Sequence, residues 1–348
     1  MKNIIIGAGF SASITKILIG KNSKIIGCKN QQNINNLNRR KNIEYNKFFS
    51  KKTYSYGSLN FKLKNGTFQD RLILGGNSDI WGGKINLKNF PNNLLKRLKK
   101  AKINFQKLSF KKTGTVSNNK NIVQMQNKFG TIITTSDFPH KIENGYLLDF
   151  SVKKDKIFLN IKGKITKKIT VKNLFLCVGG IQLLDLLYRS KLIKDGDTIE
   201  FSEFVSDFSL KSIYSELNNK FTIQRFHFCR AVGHFFGVQY FSKYLKLLNF
   251  IPLCLDQNFY KKKINYKLRI KDGVIIDTNN INNKIAFGKS THFCNLRINN
   301  TNINKFLRRV SNNIIGVGMV FVNQKIPGPI SNDIILDINN KLKFRNKK

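Results

Sequence analysis

Apolar positions change their period several times along the chain, and each change marks an element. Ile4–Ile6 form an unbroken aliphatic run that meets a glycine turn and then a helix-like stretch. A run without polar alternation predicts a central parallel strand covered on both faces. Lys24–Cys28 repeats the strand pattern, so residues 1–28 read as strand, helix and strand. Residues 29–70 are rich in Asn and Lys and read as loop, with a short strand pair about Tyr54–Lys64 turning at Asn65-Gly66. Asn92–Lys102 sets Leu94, Leu95 and Leu98 among lysines, the spacing of an amphipathic helix. Tyr146–Val152, Lys156–Ile161 and Lys164–Val171 read as an antiparallel meander leading into a buried strand at Asn173–Val178. From about residue 197 strands dominate: Thr198–Phe208, Phe221–Val232, Lys263–Ile270, Thr291–Ile298, Ile314–Asn323 and Asp333–Ile338. Helices are expected at Ser242–Leu248 and Asn302–Arg309.

Three glycine clusters punctuate this pattern. After the first strand, Gly7, Gly9 and Ala12 spell G-x-G-x-x-A, as a dinucleotide-binding βαβ unit begins. Gly7 permits the tight turn, Gly9 lets the backbone approach a pyrophosphate, and Ala12 lets the helix pack closely on the strand. The backbone of Phe10 and Ser11 opens the helix and would face the phosphates. A glycine turn serving only the fold is the other reading of so short a motif. The second cluster places Gly75, Gly76, Asn77 and Ser78, then Asp79 and Ile80, before Trp81, Gly82 and Gly83. Two glycine pairs around the chain's one tryptophan suit a loop whose backbone passes close to a flat or charged ligand. In the third, a buried strand ends at Gly179-Gly180 and a Leu-rich helix follows at once.

In this order the three clusters resemble the glucose–methanol–choline (GMC) family of FAD-dependent oxidoreductases, over about residues 1–190. The resemblance implies an α/β (α+β) fold, with an FAD-type Rossmann domain and an antiparallel-sheet substrate domain. It places the first over 1–190, with a loop and helix insertion about 91–120, and the second over 195–348. It implies FAD, held by Gly7, Gly9, Phe10, Ser11, Ala12, Gly75, Gly76, Asn77, Ser78, Trp81, Gly82, Gly83, Gly179 and Gly180. The implied reaction oxidises an alcohol or sugar hydroxyl by hydride transfer to the flavin, with a separate electron acceptor or subunit as partner. Two positions depart from the family. Cys28 stands at the second strand's end, where an acid normally meets the adenosine ribose. In the family a catalytic His comes from the last part of the chain, but here none follows His292. Gln324–Asp337 reads as the substrate-domain strand that precedes that portion. The expectation is therefore an incomplete catalytic site, with no catalytic residue assigned and low or undetectable turnover. His234 and His292 are tempting bases, yet core or surface histidines are commoner.

Composition widens the field of functions. The 348 residues carry 62 Lys and Arg against 19 Asp and Glu, a formal charge of +43. Such a charge suits nucleic acid or another polyanion, which keeps a basic binding protein as an alternative beside active enzyme and non-catalytic relative. The basic residues are spread along the whole chain in short runs, as compositional drift would leave them. With 41% hydrophobic residues and 29 Phe, the chain reads as folded. Five cysteines include no Cys-x-x-Cys pair, which points to neither a disulfide framework nor zinc and suits a reducing cytoplasm. The four histidines lack metal-ligand spacing, and no run reads as a membrane span.

Overall fold

A computed structural model describes residues 3–27, 59–62, 84–88, 90–107, 115–116, 120–127, 141–205, 253–254, 262–277, 293–323 and 330–346. The fold is mixed α/β, of Rossmann type, with a five-stranded parallel sheet and separate, mainly antiparallel sheets. The parallel sheet contains β1 (Asn3–Ile6), β2 (Ser23–Gly27), β3 (Ile142–Asn144), β7 (Asn173–Leu176) and β8 (Ile314–Gly316), in the order β8-β7-β1-β2-β3. Between β3 and β7 the chain makes the antiparallel meander β4 (Tyr146–Lys153), β5 (Lys156–Lys162) and β6 (Thr166–Val171).

The aliphatic run explains why β1 is central. Ile4 and Ile5 are both wholly buried, and they belong to two different apolar clusters. Ile4 and Ile6 join the meander, α3 (Gly180–Arg189) and a six-stranded sheet. Ile5 joins α1 (Phe10–Ile19), α2 (Asn92–Lys100) and the C-terminal helix α5 (Ile330–Asn346). Successive side chains on a strand point to opposite faces, so three consecutive isoleucines serve both layers. Each contributes about 1.5–3 kcal/mol by leaving water.

The six-stranded sheet runs Thr301–Asn302, Phe293–Ile298, Thr198–Val205, Lys262–Lys271, Val274–Asp277 and Asn60–Lys62 in spatial order. All its pairs are antiparallel except the last, Val274–Asp277 with Asn60–Lys62. The helix α4 (Ile303–Val310) follows the Thr301–Asn302 edge and is capped by Asn302, whose side chain accepts from the Asn304 amide at 2.9 Å.

Two elements differ from the sequence expectation. Asp333–Ile338 lies inside the helix α5 and forms no strand. Its isoleucines suit strands by propensity, yet Ile334, Ile335 and Ile338 are buried together, the stripe of a helix packed on a sheet. The strand expected over Ile314–Asn323 stops at Gly316. Gly318 turns there with φ +131°, and Met319–Phe321 forms a short 3-10 turn. Phe221–Val232 and Ser242–Leu248 lie outside the described residues.

One buried ionic group ties the first cluster together. Asp185 on α3 is fully buried, and its carboxylate accepts from the Leu59 amide at 3.2 Å and the Tyr146 hydroxyl at 3.3 Å. Arg189, one turn on, lies 2.9 Å from the same carboxylate and donates to Tyr146 Oη and the Leu147 carbonyl. The pair thus joins α3, the start of the meander and the segment leading to Asn60–Lys62. Removing one member of such a pair leaves the other charge unpartnered. Asp185→Ala should lower the unfolding free energy by about 3–5 kcal/mol, measured by urea denaturation followed by far-ultraviolet circular dichroism. A loss under about 1 kcal/mol, the range of a surface pair, would contradict the role given to Asp185.

Candidate functional site

At the carboxyl edge of the parallel sheet, three hydrogen bonds lace four adjacent strands together one residue past the ends of β1, β7 and β8. The Gly7 amide donates to the Ile26 carbonyl at 2.8 Å, Cys177 to Ile6 at 2.8 Å, and Val317 to Leu176 at 2.9 Å. Lacing so close to the turn leaves no room above Gly7. A Cβ built there would lie 2.2 Å from the Cys177 carbonyl oxygen, and the residue has φ +129°. Gly27 meets the same turn from the other side, its ideal Cβ 2.8 Å from the Gly7 carbonyl carbon. Only glycine fits this crossing.

The turn feeds α1, whose N-cap is Gly9. Among the described residues no side chain caps this helix, and its first turn holds no acid to balance the positive end of its dipole. Above the same turn passes Gly318, with φ +131° and an ideal Cβ 3.3 Å from Ser11 Oγ. The neighbouring strand β7 ends alike: Gly179 caps α3, again without a side-chain cap or an acid in the first turn. The chain leaves β1 towards β2 on one side, while β7 is flanked by β8 on the other. The position between Gly7 and Cys177 is therefore a topological switch point, where α/β folds bind ligands.

The edge is braced from beneath by the C-terminal helix. Lys341 donates to the Gly316 carbonyl at 2.9 Å, lies 2.7 Å from the Asp337 carboxylate, and sits 5.5 Å from the centre of the Phe321 ring. That ring occupies the space over Gly316, where an ideal Cβ would come within 2.1 Å of it. Burial pushes the Asp337 carboxyl above and the Lys341 ammonium below their ordinary ranges, and each partly offsets the other. Cys177 is 6% exposed and 3.5 Å from the Thr15 hydroxyl. Burial pushes its thiol up to about 12. A thiol so fully protonated at neutral pH packs and does not attack.

The structure thus brings Gly7, Gly9, Phe10, Ser11 and Ala12 to one edge with Gly179 and Gly180. Cys28, Gly75, Gly76, Asn77, Ser78, Trp81, Gly82, Gly83, His234 and His292 lie outside the described residues. Gly318 was not foreseen, although the sequence carries a signal for it. Ile314-Ile315-Gly316-Val317-Gly318 repeats the pattern Ile5-Ile6-Gly7-Ala8-Gly9. Among the described residues no cluster of His, Cys, Asp and Glu has the makings of a metal site, and no helix is long and apolar enough to cross a membrane.

No family model matches the sequence, and no curated protein is similar to it. Several solved structures overlay weakly. The substrate-free rebeccamycin biosynthetic enzyme REBC is 9% identical, with a TM-score of 0.33 over 98% of this chain and 61% of its own. A flavoprotein/dehydrogenase from Cytophaga hutchinsonii is 9% identical, with a TM-score of 0.29 over 81% of this chain and 73% of its own. The OxyS anhydrotetracycline hydroxylase from Streptomyces rimosus is 10% identical, with a TM-score of 0.24 over 60% of this chain and 38% of its own.

Gly7 and Gly20 separate crowding from backbone strain. Both have positive φ, but nothing lies within 4 Å of a Cβ at Gly20. Gly20→Ala should cost the strain alone, about 1–3 kcal/mol, and Gly7→Ala a further 1–3 kcal/mol or so from overpacking. Urea unfolding of the two variants checks the difference. Equal losses would show that the Gly7–Cys177 approach is looser than described.

Proposed function

We propose that the chain is a flavoprotein oxidoreductase whose FAD pyrophosphate lies against Gly7, Gly9, Phe10 and Ser11. The observation that carries this reading is the bare-backbone cradle at the switch point. Gly7, the uncapped start of α1 and Gly318 converge there without an acidic side chain in the first turn. The test of fit is steric and electrostatic. The cradle presents close backbone and a helix dipole, which is what a dianionic pyrophosphate needs.

The finer assignment follows the resemblance to GMC enzymes. Gly75, Gly76, Asn77, Ser78, Trp81, Gly82 and Gly83 would line the flavin and ribityl chain, with Gly179 and Gly180 beside them, and Cys28 would face the ribose. When bound, FAD supplies a two-electron acceptor for the oxidation of an alcohol or sugar hydroxyl. The chain's own part is to bind and orient. Ala12, wholly buried, holds α1 close to the sheet. The lacing of Gly7 and Cys177 fixes the height of the α1 terminus, and Gly318 closes over it. No described residue is assigned a proton-transfer role.

Charge at Ser11 gives opposite signs for folding and for binding. An acid in the first turn of a helix favours the helix by about 0.3–1 kcal/mol, whereas it repels a pyrophosphate. Ser11→Asp should keep or raise stability and weaken FAD binding by about tenfold or more, read by quenching of flavin fluorescence on titration. Failure of the folded wild-type chain to bind FAD, or equal binding by Ser11→Asp, would overturn the proposal.

A further inference from the structure

The six-stranded sheet has a second face that the cofactor reading does not use. Along Thr198–Val205 and Lys262–Lys271, Ile199, Phe201, Tyr266, Leu268 and Ile270 turn to the core. Their alternates are polar, and Glu200, Ser202, Asn265, Lys267, Asn295 and Arg297 line an open cleft of ≈ 600 Å³. That volume lies within the range of small-molecule sites. The lining comes from three adjacent strands, with Phe201 and Tyr266 also bordering the cleft, and Asn302 and Asn323 add to the wall.

A solvated sheet face would be polar too, but three features set this one apart. First, it is concave, and Ser202 is only 5% exposed within it. Second, the ladder is broken there. The register between Thr198–Val205 and Phe293–Ile298 shifts between Glu200 and Ser202, and Asn295 takes a left-handed conformation with φ +57°. Bulges re-aim side chains and concentrate beside binding sites. The Asn295 amide donates to the Val322 carbonyl at 3.0 Å, which ties the bulge to the segment carrying Asn323.

Third, the hydrogen-bonding groups are biased towards donors. Asn265 Oδ1 accepts from Ser202 Oγ at 2.9 Å, and Asn302 Oδ1 accepts from the Asn304 amide at 2.9 Å. Each oxygen carries one bond already, and the amide NH2 ends of Asn265 and Asn302 each offer two N–H donors to a ligand. Arg297 uses Nε on the Asn300 carbonyl at 3.2 Å, so its two terminal nitrogens serve as a fork for an anion. Lys267 lies 3.7 Å from Glu200 and offsets its charge, so among the described lining residues Arg297 is the excess cation.

We propose that this cleft binds a sugar-sized anion, a hydroxylated molecule bearing one carboxylate or phosphate. Arg297 receives the acid group, Asn265 and Asn302 donate to further oxygens, and Glu200 accepts from a hydroxyl. The site needs no cofactor.

The test is calorimetric titration of the full chain, without FAD, using glucuronate, glucose 6-phosphate and glucose. At least one of the two acids should bind about tenfold or more tightly than glucose, and the tighter of them tells carboxylate from phosphate recognition. Arg297→Gln and Asn265→Asp, both at exposed positions, should abolish that preference. Lys168→Gln, an exposed lysine on the meander, should leave it intact, which controls for the general positive charge of the chain. The proposal is overturned if the folded wild-type chain shows no preference over glucose. It is equally overturned if the preference survives Arg297→Gln, or falls as much in Lys168→Gln.

Discussion

Everything at the candidate site depends on one close approach, that of the Gly7 backbone to the Cys177 carbonyl. Here the hydrogen-bond ladder runs one residue beyond each strand, joining Gly7 to Ile26, Cys177 to Ile6 and Val317 to Leu176. The crossing is possible only because Gly7 has no side chain and tolerates φ +129°. Its consequence is a fixed height for the start of α1, and so for the bare backbone that faces the crevice. Cys177 pays no penalty for its burial as a neutral thiol, since burial itself keeps it protonated.

The rest of the fold holds that edge from two sides. On one face Asp185 and Arg189 join α3 to the meander. On the other, Lys341 reaches from the C-terminal helix to the Gly316 carbonyl while paired with Asp337. Both pairs are shielded from water, and Asp185, Arg189 and Lys341 each find a further hydrogen-bond partner, the condition under which such pairs persist. In a chain of formal charge +43, these internal acids are few. They stand where an element must be pinned rather than where surface charge needs balancing.

The local chemistry of the turns was legible in the sequence, and the long-range pairing was not. Ile4–Gly9 announces a buried strand and a crossing turn because aliphatic run and glycine spacing are both local signals. Gly316 and Gly318 carry the same signal, but Val317 and Met319–Val322 prolong the apolar run and make a longer strand of it. That β8 lies beside β7, across more than a hundred residues of chain, is a matter of register that no short window holds. The C-terminal helix misled for another reason. Its isoleucines have strand propensity, and packing against α1 and the sheet decides otherwise. In the polar cleft the alternation of Thr198–Val205 was readable, whereas the bulge at Asn295 belongs to the pairing of two strands and leaves no mark in either alone.

The central claim is that the turn at Gly7–Ser11 and the overlying Gly318 form one anion cradle, and amide hydrogen exchange tests it most directly. Exchange should be followed by mass spectrometry in the full chain with and without saturating FAD. The account predicts that peptides covering 7–13 and 316–321 slow together, because one ligand contacts both. Slowing confined to other segments, or in one of these peptides without the other, would contradict it.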